Sequence, residues 1–243
     1  MNTKPLLLDE IYSLAKNCLT QNGADEENAK ALSNIIMTAE RDGSISHGLF
    51  RLPGYVASLR SGKVNGRARP AAHKLSQVII RLHGDNGYAP MAHAVGIPLL
   101  VETARNNGVA VLAITNTHHF AALWPEVEAI AKENLIGLAC TPYLPMVAPS
   151  GATKPLFGTN PIAFAWPRPN KTPVVFDMAT ASMAMGEVQI AAREQKTVPL
   201  GTGIDKEGKQ TNNPQDILDG GVLLPFGGYK GSAISLMVEL LAA

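Results

Sequence analysis

The 243-residue sequence holds only two cysteines, Cys18 and Cys140, with no C-x-x-C pair and no histidine spacing of a zinc site. A metal centre is therefore not expected. Both cysteines sit in apolar surroundings and read as buried free thiols of a reducing compartment. No uninterrupted apolar run is long enough to span a bilayer, and the run after Met1 is too short for a signal peptide. Charge of one sign is lacking too. The formal net charge of +1 argues against a general attraction to nucleic acid or to an anionic membrane. Neither glycine-rich stretch, Gly201-Thr202-Gly203 or Gly227-Gly228-Tyr229-Lys230-Gly231, is a G-x-G-x-x-G after a strand or a P-loop. A standard Rossmann site is not supported, and there is no internal repeat or low-complexity tract. With 46% hydrophobic and 17% charged residues, the chain can bury one large core or two smaller ones, as a soluble cytoplasmic protein.

Residues from about Leu6 to Gly62 read as helices. Leu8, Ile11, Leu14, Cys18 and Leu19 form a helical stripe that Gly23 can close. Asp25 is the expected N-cap of a second helix, which ends at Gly43. A third holds Val56 and Leu59 and stops near Gly62, with Pro53 expected to kink or restart the chain. After a loop marked by Gly66 and Pro70, helices and short strands alternate. Strands are expected at Val78–Ile80, Val109–Ile114, Leu135–Cys140, Ile162–Trp166 and Val174–Phe176. A Gly84–Gly87 turn follows the first of them, and helices are expected at Pro98–Asn107, Pro125–Asn134 and Ser232–Leu241. The pattern is α/β, with a helical segment over 1–72 and a mixed α/β region over 73–243.

The stretch Arg41 to Arg51 carries the densest chemistry. His47 can exchange a proton near neutral pH, and Arg51 can grip a carboxylate with two parallel hydrogen bonds. If the segment after Gly43 is helical, both lie on one face, one turn apart. The same residues also fit a helix start capped by Ser44 or Ser46, with a surface arginine and a structural histidine. Further polar clusters stand at strand ends, at Asn116–Phe120, Phe157–Pro161 and Asp177–Thr180, where α/β proteins place ligands. Gly-Thr-Asn-Pro at 158–161 can expose backbone donors or form an ordinary turn.

Taken in order, Asp42-Gly43, Ser46-His47-Gly48, Arg51, Pro53-Gly54-Tyr55, Asp85-Asn86-Gly87, Asn116 to Phe120, Lys154 to Pro161, Phe176 to Ala179 and Pro225 to Gly231 resemble the malate/L-lactate dehydrogenase-type oxidoreductase family. That family uses nicotinamide cofactors on a non-Rossmann fold. Within it, His118 to Pro125 and Val188 to Arg193 resemble the bacterial Δ1-piperideine-2-carboxylate/Δ1-pyrroline-2-carboxylate reductases. The resemblance implies reduction of cyclic ketimines to pipecolate or proline with NADPH, NADH being the alternative, and a place in amino-acid metabolism that includes lysine degradation.

Carried over residue by residue, the resemblance implies that His47 is the proton donor, with Ser46 and Glu187 as its relay. Glu187 stands where the reductases usually have aspartate, one methylene shorter. Arg51, Thr159, Met185 and Gly186 are implied to hold the substrate. His119, Phe120, Ala121, Ala122 and Leu123, with Asp177, Met178, Ala179, Gly228 and Tyr229, are implied to contact the cofactor. A homodimer is implied as well. These parts serve two reactions equally, imine reduction and, run backwards, oxidation of a 2-hydroxy acid such as malate or lactate. A third reading is a binding protein without turnover, because family members extend beyond this chain and a C-terminal part of the fold is expected to be absent. The last helix carries an apolar stripe, Ile234, Met237, Val238 and Leu241, that should be buried, and an exposed apolar surface is expected near Leu240 and Leu241.

Overall fold

The computed structural model describes residues 5–118 and 121–243. The chain divides into two compact units, Met1–Leu135 and Ile136–Ala243. The first extends past the expected boundary at residue 72, because the second helix packs against both the strand and the helix that follow it.

The first unit opens with α1 (Leu8–Gln21) and α2 (Glu26–Arg41). Glu10 reaches back to the Leu7 amide at 2.8 Å, and Asp25 accepts from the Asn28 amide at 3.0 Å. Each helix start thus spends one orphan backbone donor on a carboxylate. Two single 3₁₀ turns, Ile45–His47 and Leu49–Arg51, lead into α3 (Leu52–Arg60). Pro53 lies in the first turn of α3, where its missing N–H costs nothing, so it starts this helix without kinking it. Ile11, Leu19, Leu32, Ile36, Tyr55 and Tyr88 form the core between these helices.

A three-stranded sheet follows, in the order β1 (Ala71–Lys74), β2 (Ile79–Tyr88), β3 (Val111–His118). β2 and β3 are parallel, joined through α4 (Ala89–Asn107), and α5 (Trp124–Lys132) closes the unit. The Gly84–Gly87 segment is not a turn between elements, as its composition suggests, but a bulge inside β2. Asp85 and Asn86 take φ of 54° and 53°, and the register with β3 shifts between His83 and Gly87. The bulge is held from outside, by the Asn65 amide on the Asn86 carbonyl and by the Arg69 amide on the Asp85 carboxylate. α4 begins at Ala89, not at Pro98, which sits inside the helix. Gly108, at φ 84°, ends it in the left-handed conformation that glycine adopts without strain.

The second unit holds an antiparallel sheet of β4 (Gly137–Cys140), β5 (Ile162–Arg168) and β6 (Lys171–Met178). It also holds α6 (Met185–Arg193) and a small sheet of β7 (Gly203–Ile204), β8 (Gln210–Thr211) and β9 (Val222–Leu223). α7 (Pro214–Leu218) packs beside that small sheet, and α8 (Tyr229–Ala242) ends the chain. Val147, Phe157, Val188, Ile217 and Leu223 form its core. On the β4–β6 sheet, Leu138, Trp166, Val174, Phe176 and Met178 are exposed. The buried side of α8 is Gly231, Ser235 and Val238, not the expected stripe. Val238 alone of that stripe is fully buried, while Leu240 and Leu241 are 78% and 69% exposed. Both cysteines are free, and each is half-buried, not fully buried as expected.

Candidate active site

In the first unit the site is built where α2 ends. Gly43, at φ 74°, releases the chain from the helix, and the Ser44 carbonyl accepts from the His47 amide at 2.8 Å. This tight turn brings two hydroxyls onto one imidazole nitrogen. Ser46 Oγ lies 2.9 Å and Ser44 Oγ 3.2 Å from His47 Nδ1. The expectation of His47 and Arg51 on one α-helical face is not met, because Gly48, at ψ −136°, separates the two 3₁₀ turns. Arg51 is brought back by a different route. Its Nε donates to the Ser46 carbonyl at 2.7 Å, so the guanidinium is tied to the turn that holds the imidazole.

Gly48 has a steric reason. A Cβ there would lie 2.1 Å from Glu40 Oε1, and that oxygen accepts the Leu49 amide at 2.6 Å. The glycine lets a carboxylate of α2 cap the second turn.

Trp124, the first residue of α5, packs edge-on to His47, with ring centroids 6.4 Å apart and planes at 80°. Its indole N–H donates to Asp42 Oδ2 at 2.9 Å. Arg41, bonded to the same carboxylate, holds it below the usual aspartate range; burial opposes this and Trp124 adds to it. Asp42, Ser44 and Trp124 are residues near His47 that role assignment from the sequence missed. Asp42 and Trp124 are 82 positions apart, so no local pattern could pair them.

Of the expected cofactor stretch, His119 and Phe120 lie outside the described residues. Ala121, Ala122 and Leu123 are buried and lead directly into Trp124. His118, at the end of β3, is half-buried, and burial holds its imidazole below the ordinary histidine value, with the Lys63 charge adding to it.

In the second unit, Thr159 is half-buried between two buried residues, Gly158 and Asn160. The expectation that this turn exposes backbone donors is only partly met. Gly158 N points inward at Glu239 Oε1, 3.5 Å away, and a Cβ at Gly158 would strike the Tyr143 carbonyl at 2.3 Å. Asp177 and Met178 end β6 and Ala179 leads on to Thr180, with Met178 exposed and Asp177 and Ala179 half-buried. Met185, Gly186 and Glu187 form the first turn of α6; Gly186 is buried and Glu187 exposed. Gly227 and Gly228, at φ 55° and 63°, form the entry to α8, and the Tyr229 side chain is 72% exposed at its first position. Positive φ at both glycines gives α8 a tight entry, in which the Lys230 and Gly231 amides donate to the Gly227 and Phe226 carbonyls at 3.4 and 3.1 Å.

The model of the malate/L-lactate dehydrogenase family matches residues 7–243. The chain is 51% identical over 234 residues to the Delta(1)-pyrroline-2-carboxylate/Delta(1)-piperideine-2-carboxylate reductase of Pseudomonas putida, a match over 96% of this chain and 69% of that one. To the reductase of the same name from Pseudomonas syringae pv. tomato it is 48% identical over 241 residues, 99% of this chain and 70% of the relative. Among solved structures, the delta1-piperideine-2-carboxylate reductase from Pseudomonas syringae pvar. tomato aligns with a TM-score of 0.96 at 48% identity, covering 99% of this chain and 73% of that one. The malate dehydrogenase from Entamoeba histolytica aligns at 0.95 and 27% identity, covering 100% and 71%.

Proposed function

The chain belongs to the malate/L-lactate dehydrogenase family, and from that premise we propose that it reduces cyclic ketimine carboxylates with a nicotinamide nucleotide. The substrates are Δ1-piperideine-2-carboxylate and Δ1-pyrroline-2-carboxylate, the products L-pipecolate and L-proline, and the preferred nucleotide NADPH. The protein acts in the cytoplasm as a homodimer. The observation that carries this reading is the His47 turn, with two hydroxyls on Nδ1 and a guanidinium tied to the same backbone.

The residues present fit a nicotinamide nucleotide. The entry to α8 presents bare backbone at the exposed Gly227, and the exposed Tyr229 ring beside it offers a flat surface. Gly228 and Tyr229, Asp177 to Ala179 and the stretch from His119 to Leu123 would hold it. When bound, the nucleotide supplies the hydride that the imine carbon accepts.

The side chains prepare that carbon by supplying a proton to the imine nitrogen. His47 gives it from Nε2, because Nδ1 is engaged by the Ser46 and Ser44 hydroxyls, which fix the ring orientation. Ser46, which lies against Nδ1, and by family likeness Glu187 would return a proton to the imidazole between turnovers. Arg51 binds the carboxylate through its Nη edge, since Nε is committed to Ser46 O. Thr159, Met185 and Gly186 are the further residues that the family likeness assigns to the substrate.

Steady-state oxidation of NADPH with each cyclic ketimine tests the reading, run beside reduction of NAD(P) with malate and lactate. The likeness to a malate dehydrogenase fold makes a 2-hydroxy acid the second reading. Turnover with malate or lactate alone would establish that reading instead.

A further inference from the structure

Asn160, Thr180 and Ser235 are polar residues with 0% exposure, and they lie in three distant parts of the second unit. Thr180 stands at their centre. Its amide donates to the Thr159 carbonyl at 2.8 Å, and its hydroxyl reaches the same oxygen at 3.0 Å. A carbonyl oxygen only accepts, so the hydroxyl proton is committed there. In the 2.6 Å contact between Thr180 Oγ1 and Ser235 Oγ, the donor is therefore Ser235. On its other side, the Thr180 carbonyl accepts from the Phe226 amide at 3.0 Å, immediately before the Gly227–Gly228 entry to α8.

Asn160 completes the knot. Its Nδ2 donates to the Ser235 carbonyl at 3.2 Å and to Glu239 Oε1 at 2.8 Å, while its Oδ1 accepts from the Tyr143 amide at 3.1 Å. Asn160 holds φ of 38°, a left-handed conformation that persists only where surrounding bonds impose it.

We propose that Thr180 is a positioning residue that sets the Thr159 backbone for substrate and ties it to the glycine entry of α8. The proposal rests on the reading of Thr159 as a substrate contact and of Gly228–Tyr229 as a cofactor contact. Thr180 touches neither ligand; it acts through the carbonyl of Thr159 and the amide of Phe226. The hydroxyl donates to the Thr159 carbonyl and accepts from Ser235 two turns into α8, whereas the glycine entry is tied through the Phe226 amide and the Thr180 carbonyl, a backbone link that a side-chain change leaves in place. Removing the hydroxyl should therefore disturb substrate binding and spare cofactor binding.

The test is a three-variant series with the ketimine assay, a cofactor titration and thermal melting. Thr180→Val keeps the side-chain shape and removes the hydroxyl. It should raise KM for the ketimine about 3- to 10-fold, the loss of one buried hydrogen bond, with the cofactor Kd unchanged. Thr180→Ser restores the hydroxyl and should restore KM. A folded Thr180→Val enzyme with wild-type KM overturns the proposal, since a purely structural staple would lower the melting temperature alone. Should Thr180→Val not fold, Ser235→Ala decides. It removes the donor that polarises the Thr180 hydroxyl but leaves the Thr159 bond, and should raise KM about 2- to 3-fold. A folded Ser235→Ala enzyme with unchanged KM overturns the proposal equally. A wild-type protein inactive on both ketimines overturns the functional reading itself, a result distinct from an active enzyme indifferent to these variants.

Discussion

At the scale of single residues, the two side chains of the first 3₁₀ turns have separable expected effects. A positioned proton donor contributes about 10²- to 10⁴-fold to rate, so His47→Ala should lower kcat by that order with cofactor affinity unchanged. Stopped-flow measurement of NADPH oxidation under single-turnover conditions reads the step directly; a wild-type rate would move the donor elsewhere. Arg51→Met keeps the stem over Phe50, whose ring lies 5.6 Å from the guanidinium carbon, and removes the charge. A hydrogen bond to a charged group is worth about 1.5–3 kcal/mol, or one to two decades of affinity. KM for the ketimine should rise by that factor, and an unchanged KM would return Arg51 to a purely structural role in its turn. Chemistry of this kind was legible in the sequence, because His47, Ser46 and Arg51 lie within six consecutive positions. Their assignment to roles came from the family resemblance and not from the spacing.

At the scale of elements, the segment between α2 and α3 depends on Gly48. A methyl group there must displace the Glu40 carboxylate and so release the Leu49 amide. Gly48→Ala should destabilise the protein by about 1–3 kcal/mol, the cost of an unpaired half-buried donor, and lower kcat by disturbing the neighbouring His47. Glu40→Gln retains an acceptor and should be milder in both; equal damage from the two would show that the clash acts by another path. Element positions were readable where a local device sets them, as with the Asp25 cap and the Gly43, Gly62 and Gly108 stops. The β2 bulge was not. Asp, Asn and Gly are turn formers, and what keeps Asp85 and Asn86 inside a strand is a set of bonds from residues 65 and 69. Asn160 was misleading in the same way, since Gly-Thr-Asn-Pro reads locally as a surface turn and its partners lie 75 and 79 positions away.

At the scale of the whole molecule, stability should depend on pH through His118. Burial, helped by the Lys63 charge, lowers its folded pKa below the ordinary histidine value. In the window below that value the unfolded chain binds a proton that the folded chain does not, so stability falls as pH falls. This loss begins near neutrality. The contribution of Asp42, whose pKa is lowered chiefly by its bond to Arg41, is kept until the much lower folded pKa of that carboxylate is approached. His118→Gln should therefore flatten the change in melting temperature between about pH 7.5 and about pH 5.5, where an ordinary histidine titrates. A variant whose melting temperature keeps the wild-type slope would assign the acid sensitivity to another group.

The knot of Asn160, Thr180, Ser235 and Glu239 has a thermodynamic consequence. Ordering the entry to α8 and ordering the Thr159 turn both draw on the Thr180 backbone, through its bonds to Thr159 and Phe226, and on the bonds of Asn160 to α8. In the proposed reading, the first ligand to bind meets part of the ordering cost for the second. Nucleotide and ketimine should then strengthen each other's affinity, and linkage requires the two factors to be equal. Calorimetric titration of each ligand with and without a non-reacting partner measures both factors. Asn160→Ala should bring them toward unity, and affinities in the wild-type protein that ignore one another would show that the knot holds the two strips without connecting them.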